Sequence, residues 1–246
     1  LATDPVLTYA LVLAVGLVAG TVSGIVGTGA TIILLPVLVL VFGPREAVPI
    51  MAIVALMSNF AKITAWWREI DWRACAAYAL GGIPAAALGA RTLLVLPERA
   101  VDIALGLFFL AMVPGRRWLA ARNITLGYGG MALAGAVIGF LTGIVVSTGP
   151  LSVPAFAAHG LVKGAFIATE AAGSLALYIS KAVTFRAFGA LPLDIVVKGL
   201  ISGSSVMAGA YVARIIVDRL SVATFQRLLD VVMALSGLAL LWAAVR

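Results

Sequence analysis

The segment Ala19-Gly20-Thr21-Val22-Ser23-Gly24-Ile25-Val26 returns, respelled, as Ile138-Gly139-Phe140-Leu141-Thr142-Gly143-Ile144-Val145. Gly16 and Gly135, Gly20 and Gly139, Gly24 and Gly143, and Lys62 and Lys181 are each 119 residues apart. A duplicated apolar sequence, with a glycine-rich interruption and a lysine at matching places in both halves, constrains the fold more than any single residue. It is the pattern of a membrane transporter assembled from two repeats.

Composition agrees. Hydrophobic residues make up 63% of the chain and charged residues 11%, whereas soluble domains are about half apolar and a quarter charged. The net charge is +7, but most Arg and Lys fall in short loops between apolar segments, where they set topology and meet anionic headgroups. No basic stripe interleaved with aromatics is present, so nucleic acid is excluded as a partner. With one cysteine, Cys75, and one histidine, His159, neither an internal disulfide nor a Cys/His metal cluster can form. No cofactor or metal is expected. His159, beside Gly160, reads as a loop residue at the surface. The first apolar stretch lacks a basic flank and so reads as a span rather than a removable leader.

A membrane helix needs about 20 apolar residues. Eight segments meet that length, roughly 6–26, 47–66, 74–95, 99–118, 125–146, 164–185, 193–217 and 222–244. Two shorter pieces, about 30–42 and 150–158, follow the first and fifth, each after a Gly/Thr-rich break. The expected fold is all-α and polytopic, with about eight transmembrane helices in two pseudo-symmetric repeats whose first helices are broken. Residues 1–118 form the first repeat, 119–123 the connecting loop and 124–246 the second. If the short pieces add no crossing, the Arg68/Arg73 and Arg186 loops share a side with both termini. If each break adds one, the halves are inverted. Sequence alone leaves both open.

The break Gly27-Thr28-Gly29-Ala30-Thr31, with Pro36 beyond it, is the sharpest local feature. Non-helical backbone at membrane depth must be buried or line a watery cavity, and a restarted helix offers N–H groups and partial positive charge to an anion. Ser147-Thr148-Gly149-Pro150, with Pro154, is the second copy. The alternative for both is a kink whose glycines serve close packing. Gly24 to Thr31 nearly fits a phosphate loop, but Ala30 stands where lysine is required. The Gly16/Gly20/Gly24 and Gly135/Gly139/Gly143 series read as helix-packing stripes.

Lys62 and Lys181 lie within spans near their ends. They can snorkel to the interface, or they can face a hydrated cavity with Ser58, Asn59 and Thr184 nearby. Glu170 lies deeper, and an acid inside a membrane helix is a functional candidate. It is either a proton carrier or the partner of a basic group such as Lys163 or Lys62. Substrate-binding candidates are therefore Gly27, Thr28, Gly29, Thr31, Ser58, Asn59, Lys62, Ser147, Thr148, Gly149 and Lys181, with Glu170 as the coupling residue.

These motifs resemble those of the TauE/SafE family of anion exporters, also called the sulfonate uptake permease family. Its members are similar to two copies of a Gly-x3-Gly-x3-Gly unit followed by Gly-x-Gly-Gly-Gly and a downstream proline. Gly16, Gly20, Gly24, Gly27, Gly29 and Pro36 fit the first copy. Gly135, Gly139, Gly143, Gly149, Pro150 and Pro154 fit the second. The Ile70-Asp71-Trp72-Arg73 loop, with Gly81-Gly82 and Gly89 after it, is family-like too, and the resemblance spans almost the entire chain. Ala30 and Thr31 replace two glycines of the first copy, and the second keeps only Gly149 of its triplet. The resemblance implies secondary transport of a small sulfur-containing anion, sulfite, sulfonate or organosulfonate, across a bacterial inner membrane by alternating access, with proton coupling open. A passive anion channel is the competing class. The constellations of an intramembrane enzyme are missing, so no enzyme is expected. The lipid bilayer and the anion are the expected partners. A homodimer, the particular anion and the direction of transport stay open.

Overall fold

The computed structural model describes residues 5–27, 29–95, 125–144, 149–188, 192–225 and 227–228. The expected spans at 99–118 and most of 222–244, the connecting loop, Thr28, Ser147 and Thr148 lie outside the described residues. The α-helices among the described residues include α1 (Pro5–Val26), α2 (Ala30–Phe42), α3 (Pro44–Ala65), α4 (Trp72–Val95), α5 (Tyr128–Ile144), α6 (Gly149–Ala158), α7 (Lys163–Ala187) and α8 (Leu193–Arg219), of which α2 and α6 are short. A single 3₁₀ turn, Trp67–Glu69, joins α3 to α4. No strand occurs among the described residues. By length and hydropathy together, Val6–Val26 and Leu193–Arg219 are long and apolar enough to cross a membrane, and Ile33–Phe42, Pro49–Ala65 and Tyr128–Ile144 are shorter apolar helices.

Local chemistry sets the helix limits. Pro44 occupies the first turn of α3, where its missing N–H costs nothing, and Glu46 in that turn complements the helix dipole. Asp71 caps α4: its Oδ1 accepts from the Arg73 and Ala74 amides, each at 3.0 Å. Its own N–H donates to Thr169 Oγ1 at 2.9 Å, tying the start of α4 to α7. The Ala74 amide holds the Asp71 carboxyl below the usual carboxylate value; the Arg73 amide and His159 add to this, and partial burial opposes it.

Neighbouring residues fix the helix directions. On α1 and α8, Gly16 meets Ser205, Gly20 meets Val206 and Gly24 meets Ala210 and Ala213, so the two run parallel. Gly199 and Gly203 meet Ile53 and Met57, and Thr64 bonds Tyr211, so α3 runs parallel to α8 as well. On the other side, Gly135, Gly139 and Gly143 meet Tyr78, Gly82 and Ala90 in turn, so α4 and α5 are parallel. Leu177 against Gly82, with Ser180 Oγ donating to the Ile83 carbonyl, adds α7 to that set. The connected pair α3 and α4 turn back on each other through the 3₁₀ turn, so the sets α1/α3/α8 and α4/α5/α7 run in opposite directions. Each helix of the first half thus runs against its sequence match in the second.

The short helices double back. The Tyr9 and Phe42 rings lie 5.8 Å apart, so α2 returns along α1 to the face where α1 began. The Leu126 amide donates to the Ala158 carbonyl at 3.0 Å, closing α5 and α6 in the same way at the other face. Two hairpins therefore enter from opposite faces. Among the described residues the Arg68/Arg73 loop and Arg186 lie at opposite ends of the bundle, because α7 starts beside Trp66 and Glu69 and ends a full length away.

Polarity is inside out. Leu40, Leu80, Leu88, Leu133, Val183 and Ile215 are more than half exposed, while Lys62, Glu170 and Lys181 are buried. A water-soluble surface does not carry so much apolar area, whereas a lipid-facing one does. His159 departs from the surface reading. It is half-buried at the end of α6, its Nε2 3.5 Å from Asp71 Oδ2, with its Nδ1 bonded to the Leu126 carbonyl.

Candidate functional site

The first break is real and sharp. Gly27 has φ 86° and Gly29 φ 113°, both in the left-handed region that favours glycine. The chain reverses there, and α2 begins at Ala30 with no side-chain cap. The leading N–H groups of α2 therefore have no partner within their helix, and they start beside a cavity.

That cavity has a volume of ≈ 40 Å³ and lies between the α1–α2 tip, α3 and α7. At about 10–15 Å³ per water-sized probe, it has room for a few waters or a solute of a few heavy atoms. Ser23, Ser58, Asn59 and Lys62 supply its polar wall, with Gly27, Gly29 and Thr31 at the tip, and Glu170, Ser174 and Tyr178 opposite. Met51, Val54, Ala55 and Ala30 complete the lining with apolar surface.

Lys62 reaches back to the break. Its Nζ donates to the Gly27 carbonyl at 2.9 Å, placing a cation against the negative C-terminal end of α1. An ammonium has three donors, so two remain for a guest. Across the cavity, Glu170 Oε1 accepts from Ser152 Oγ at 2.6 Å and Ser174 Oγ at 2.7 Å. Its Oε2 is buried with no hydrogen-bond partner. Among the described residues the two charged groups share the cavity without a direct ion pair.

Six of the expected binding residues come together here: Gly27, Gly29, Thr31, Ser58, Asn59 and Lys62, with Glu170 joining them. Of the two basic groups named as partners for Glu170, Lys62 shares its cavity, while Lys163 Nζ donates to the Asp218 carbonyl at 3.4 Å. Lys181 does not line this cavity. Its Nζ donates to the Thr142 carbonyl at 2.9 Å, in the last turn of α5. Lys181 thus bonds a carbonyl near the end of α5, and Thr142 matches Ser23, one turn before the Gly27 carbonyl that Lys62 bonds. Gly149 opens α6. Thr28, Ser147 and Thr148 lie outside the described residues.

Sequence reasoning missed Ser23, Ser152, Ser174 and Tyr178. Ser23 had a signal, as it lies one turn before Gly27 within the duplicated segment. Ser174 had one too, four residues after Glu170 on the same helix face. Ser152 had none, because its approach to Glu170 depends on how α6 folds back.

Among the described residues no cluster of three or more His, Cys, Asp or Glu side chains is placed to hold a metal ion. A lysine, a helix N-terminus and hydroxyls around a small buried space can bind and desolvate an anion.

Comparison with known proteins agrees with this chemistry. A family model described as the sulfite exporter TauE/SafE matches residues 12–240. No curated protein and no solved structure shows significant similarity to the chain. The match covers nearly all of the 246 residues, places the chain among membrane transporters of sulfur anions, and shows that it belongs to the TauE/SafE sulfite exporter family.

Proposed function

We propose that the chain is a secondary transporter that moves a small sulfur-containing anion, sulfite or an organosulfonate, across the bacterial inner membrane by alternating access. The observation that carries this reading is the Lys62 ammonium held at the Gly27 carbonyl beside the exposed start of α2, in a buried polar cavity of small-anion size. The two halves act as inverted repeats. Support comes from the opposite directions of matched helices and from matched lysines that each bond a carbonyl near the end of α1 or α5. Inverted repeats interconvert by exchanging conformations between halves, which opens a central site to each face in turn. Glu170 is the coupling residue, and its unpartnered Oε2 is the place for a transported proton.

Each residue has a role in this scheme. Lys62 neutralises the anion. Ser23, Ser58, Asn59 and Thr31 replace its hydration shell with hydroxyl and amide donors, and the Gly27–Gly29 turn lets backbone approach closely. Lys181 holds the second hairpin tip.

Uptake of labelled sulfite into proteoliposomes tests the reading. Truncating one partner of a buried charge contact costs about 2 kcal/mol or more. Lys62→Ala should therefore lower uptake at least about thirtyfold while the purified protein keeps its helical spectrum. Undiminished uptake in a folded Lys62→Ala protein removes the cavity from the transport path.

A further inference from the structure

Two opposite charges in one small buried space create an accounting problem for an anion. With Lys62 as ammonium and Glu170 as carboxylate, the cavity is neutral before any guest arrives. An entering monoanion leaves an uncompensated buried negative charge, which is expensive at this depth. The least costly remedy is a proton on Glu170. Oε1 is occupied by two hydroxyls, Ser152 and Ser174, so the proton has a vacant seat on Oε2. A proton there removes the repulsion and turns Oε2 from an acceptor into a donor.

We infer that anion and proton bind this site together, one for one, and that Glu170 restricts the site to singly charged anions. The inference rests on the transport reading above and adds to it a charge class for the substrate. A dianion such as sulfate would leave one negative charge unbalanced even with Glu170 protonated, because the cavity supplies a single cation, Lys62, among its lining residues.

Other charged and titratable groups around Glu170 do not duplicate this role. From α4, Tyr78 faces it with a buried hydroxyl that also has no partner. Tyr178 lies two turns along α7 and lines the cavity. The α6 side presents Ser152, and the α1–α2 tip presents Ser23 and Thr31, none of which carries charge. The Asp71 backbone meets the preceding residue, Thr169, and its carboxylate is turned to the α4 amides and His159. Glu69 lies further off, beside Gly164 at the start of α7. Lys62 is the one group in the cavity positioned to be balanced by either Glu170 or the guest.

Binding of methanesulfonate, which keeps a single charge at every accessible pH, and of sulfate, which keeps two, to the purified full chain between pH 5 and 9 tests the inference. The expected result is that each methanesulfonate bound takes up one proton, so that its affinity falls with rising pH by up to about tenfold per unit, as reciprocal linkage of one proton requires. Glu170→Gln should flatten that profile, and sulfate should bind at least about a hundredfold more weakly than methanesulfonate at pH 6. A flat wild-type profile, a Glu170→Gln profile with the wild-type slope, or equal sulfate binding overturns the one-proton rule while leaving the anion site standing. Methanesulfonate that binds at no pH, in the wild type, overturns the site itself. The sulfate comparison needs no variant, so a misfolded Glu170→Gln protein does not shelter the inference.

Discussion

Gly20 and Gly29 both require glycine, for different physical reasons. A Cβ on Gly20 would lie 2.2 Å from the Val206 carbonyl oxygen, so the side chain is excluded by the neighbouring backbone. A Cβ on Gly29 meets nothing closer than Val22 Cγ1 at 3.7 Å, but φ there is 113°. Gly20→Val should therefore separate α1 from α8 and cost about 1–3 kcal/mol or more by overpacking. Gly29→Ala should cost about 1–2 kcal/mol through backbone strain alone. Gly129, near the start of α5, has open space around it, and Gly129→Ala should be neutral or stabilising by up to ~1 kcal/mol. Thermal unfolding in one detergent ranks the three; a Gly20→Val protein as stable as Gly129→Ala would contradict the α1–α8 contact. Lys62 and Lys181 looked alike in sequence, but one lines the cavity and the other does not. Their surroundings differ because Glu170 lines the cavity together with Met51, which lies 119 residues before it. One half of the site carries the acid and the other a thioether.

At the scale of elements, each hairpin is pinned at its mouth by the other half. Asp71 at the start of α4 holds His159 beyond α6. At the opposite face Lys198 on α8 bonds Glu46 at the start of α3, with Asp194 3.9 Å away and the Phe42 ring beside it. Asp71 at the start of α4 and Asp194 at the start of α8 thus each sit in one of two clasps. Removing the cap with Asp71→Ala should cost about 1 kcal/mol. The sign with pH follows from the direction of its shift. A carboxyl held below its ordinary value stabilises the fold at neutral pH, and that contribution fades as pH falls through about 4 and below. The gap in melting temperature between wild type and Asp71→Ala should therefore narrow in acid. A constant gap from pH 7 to pH 3 would show that the charge on Asp71 contributes nothing.

Whole-molecule behaviour depends on the two hairpins entering from opposite faces. The starts of α1 and α5 should then lie on opposite sides of the membrane. Cys75, the one cysteine, is buried and can be replaced by serine to give a blank background. In that background Val6→Cys and Tyr128→Cys, both at exposed positions, should react with a membrane-impermeant maleimide from opposite sides. Labelling of both from one side would rule out the inverted arrangement. The glycine-lined seams α1–α8 and α4–α5 each join helices of different halves through backbone-to-backbone contact, so bodies that rock with these seams intact each mix helices of both halves. The moving surface is then the less tightly joined boundary around the cavity, between the hairpin tip, α3 and α7.

Much of this was legible in the chain. The apolar fraction required a bilayer, because so few charges cannot cover a water-facing surface. The glycine spacing required close helix pairs, because only a missing side chain lets two backbones approach. The matched lysines and the Gly27–Gly29 break named most of one cavity wall, since charge and non-helical backbone at that depth both need shelter. What remained hidden was relational. Which glycine stripe meets which helix, that α2 and α6 fold back, that Ser152 reaches Glu170 and that Lys181 serves a hairpin other than that of Lys62 all depend on contacts between residues far apart in sequence. Local pattern records what each helix must bury, and only the tertiary packing decides against whom.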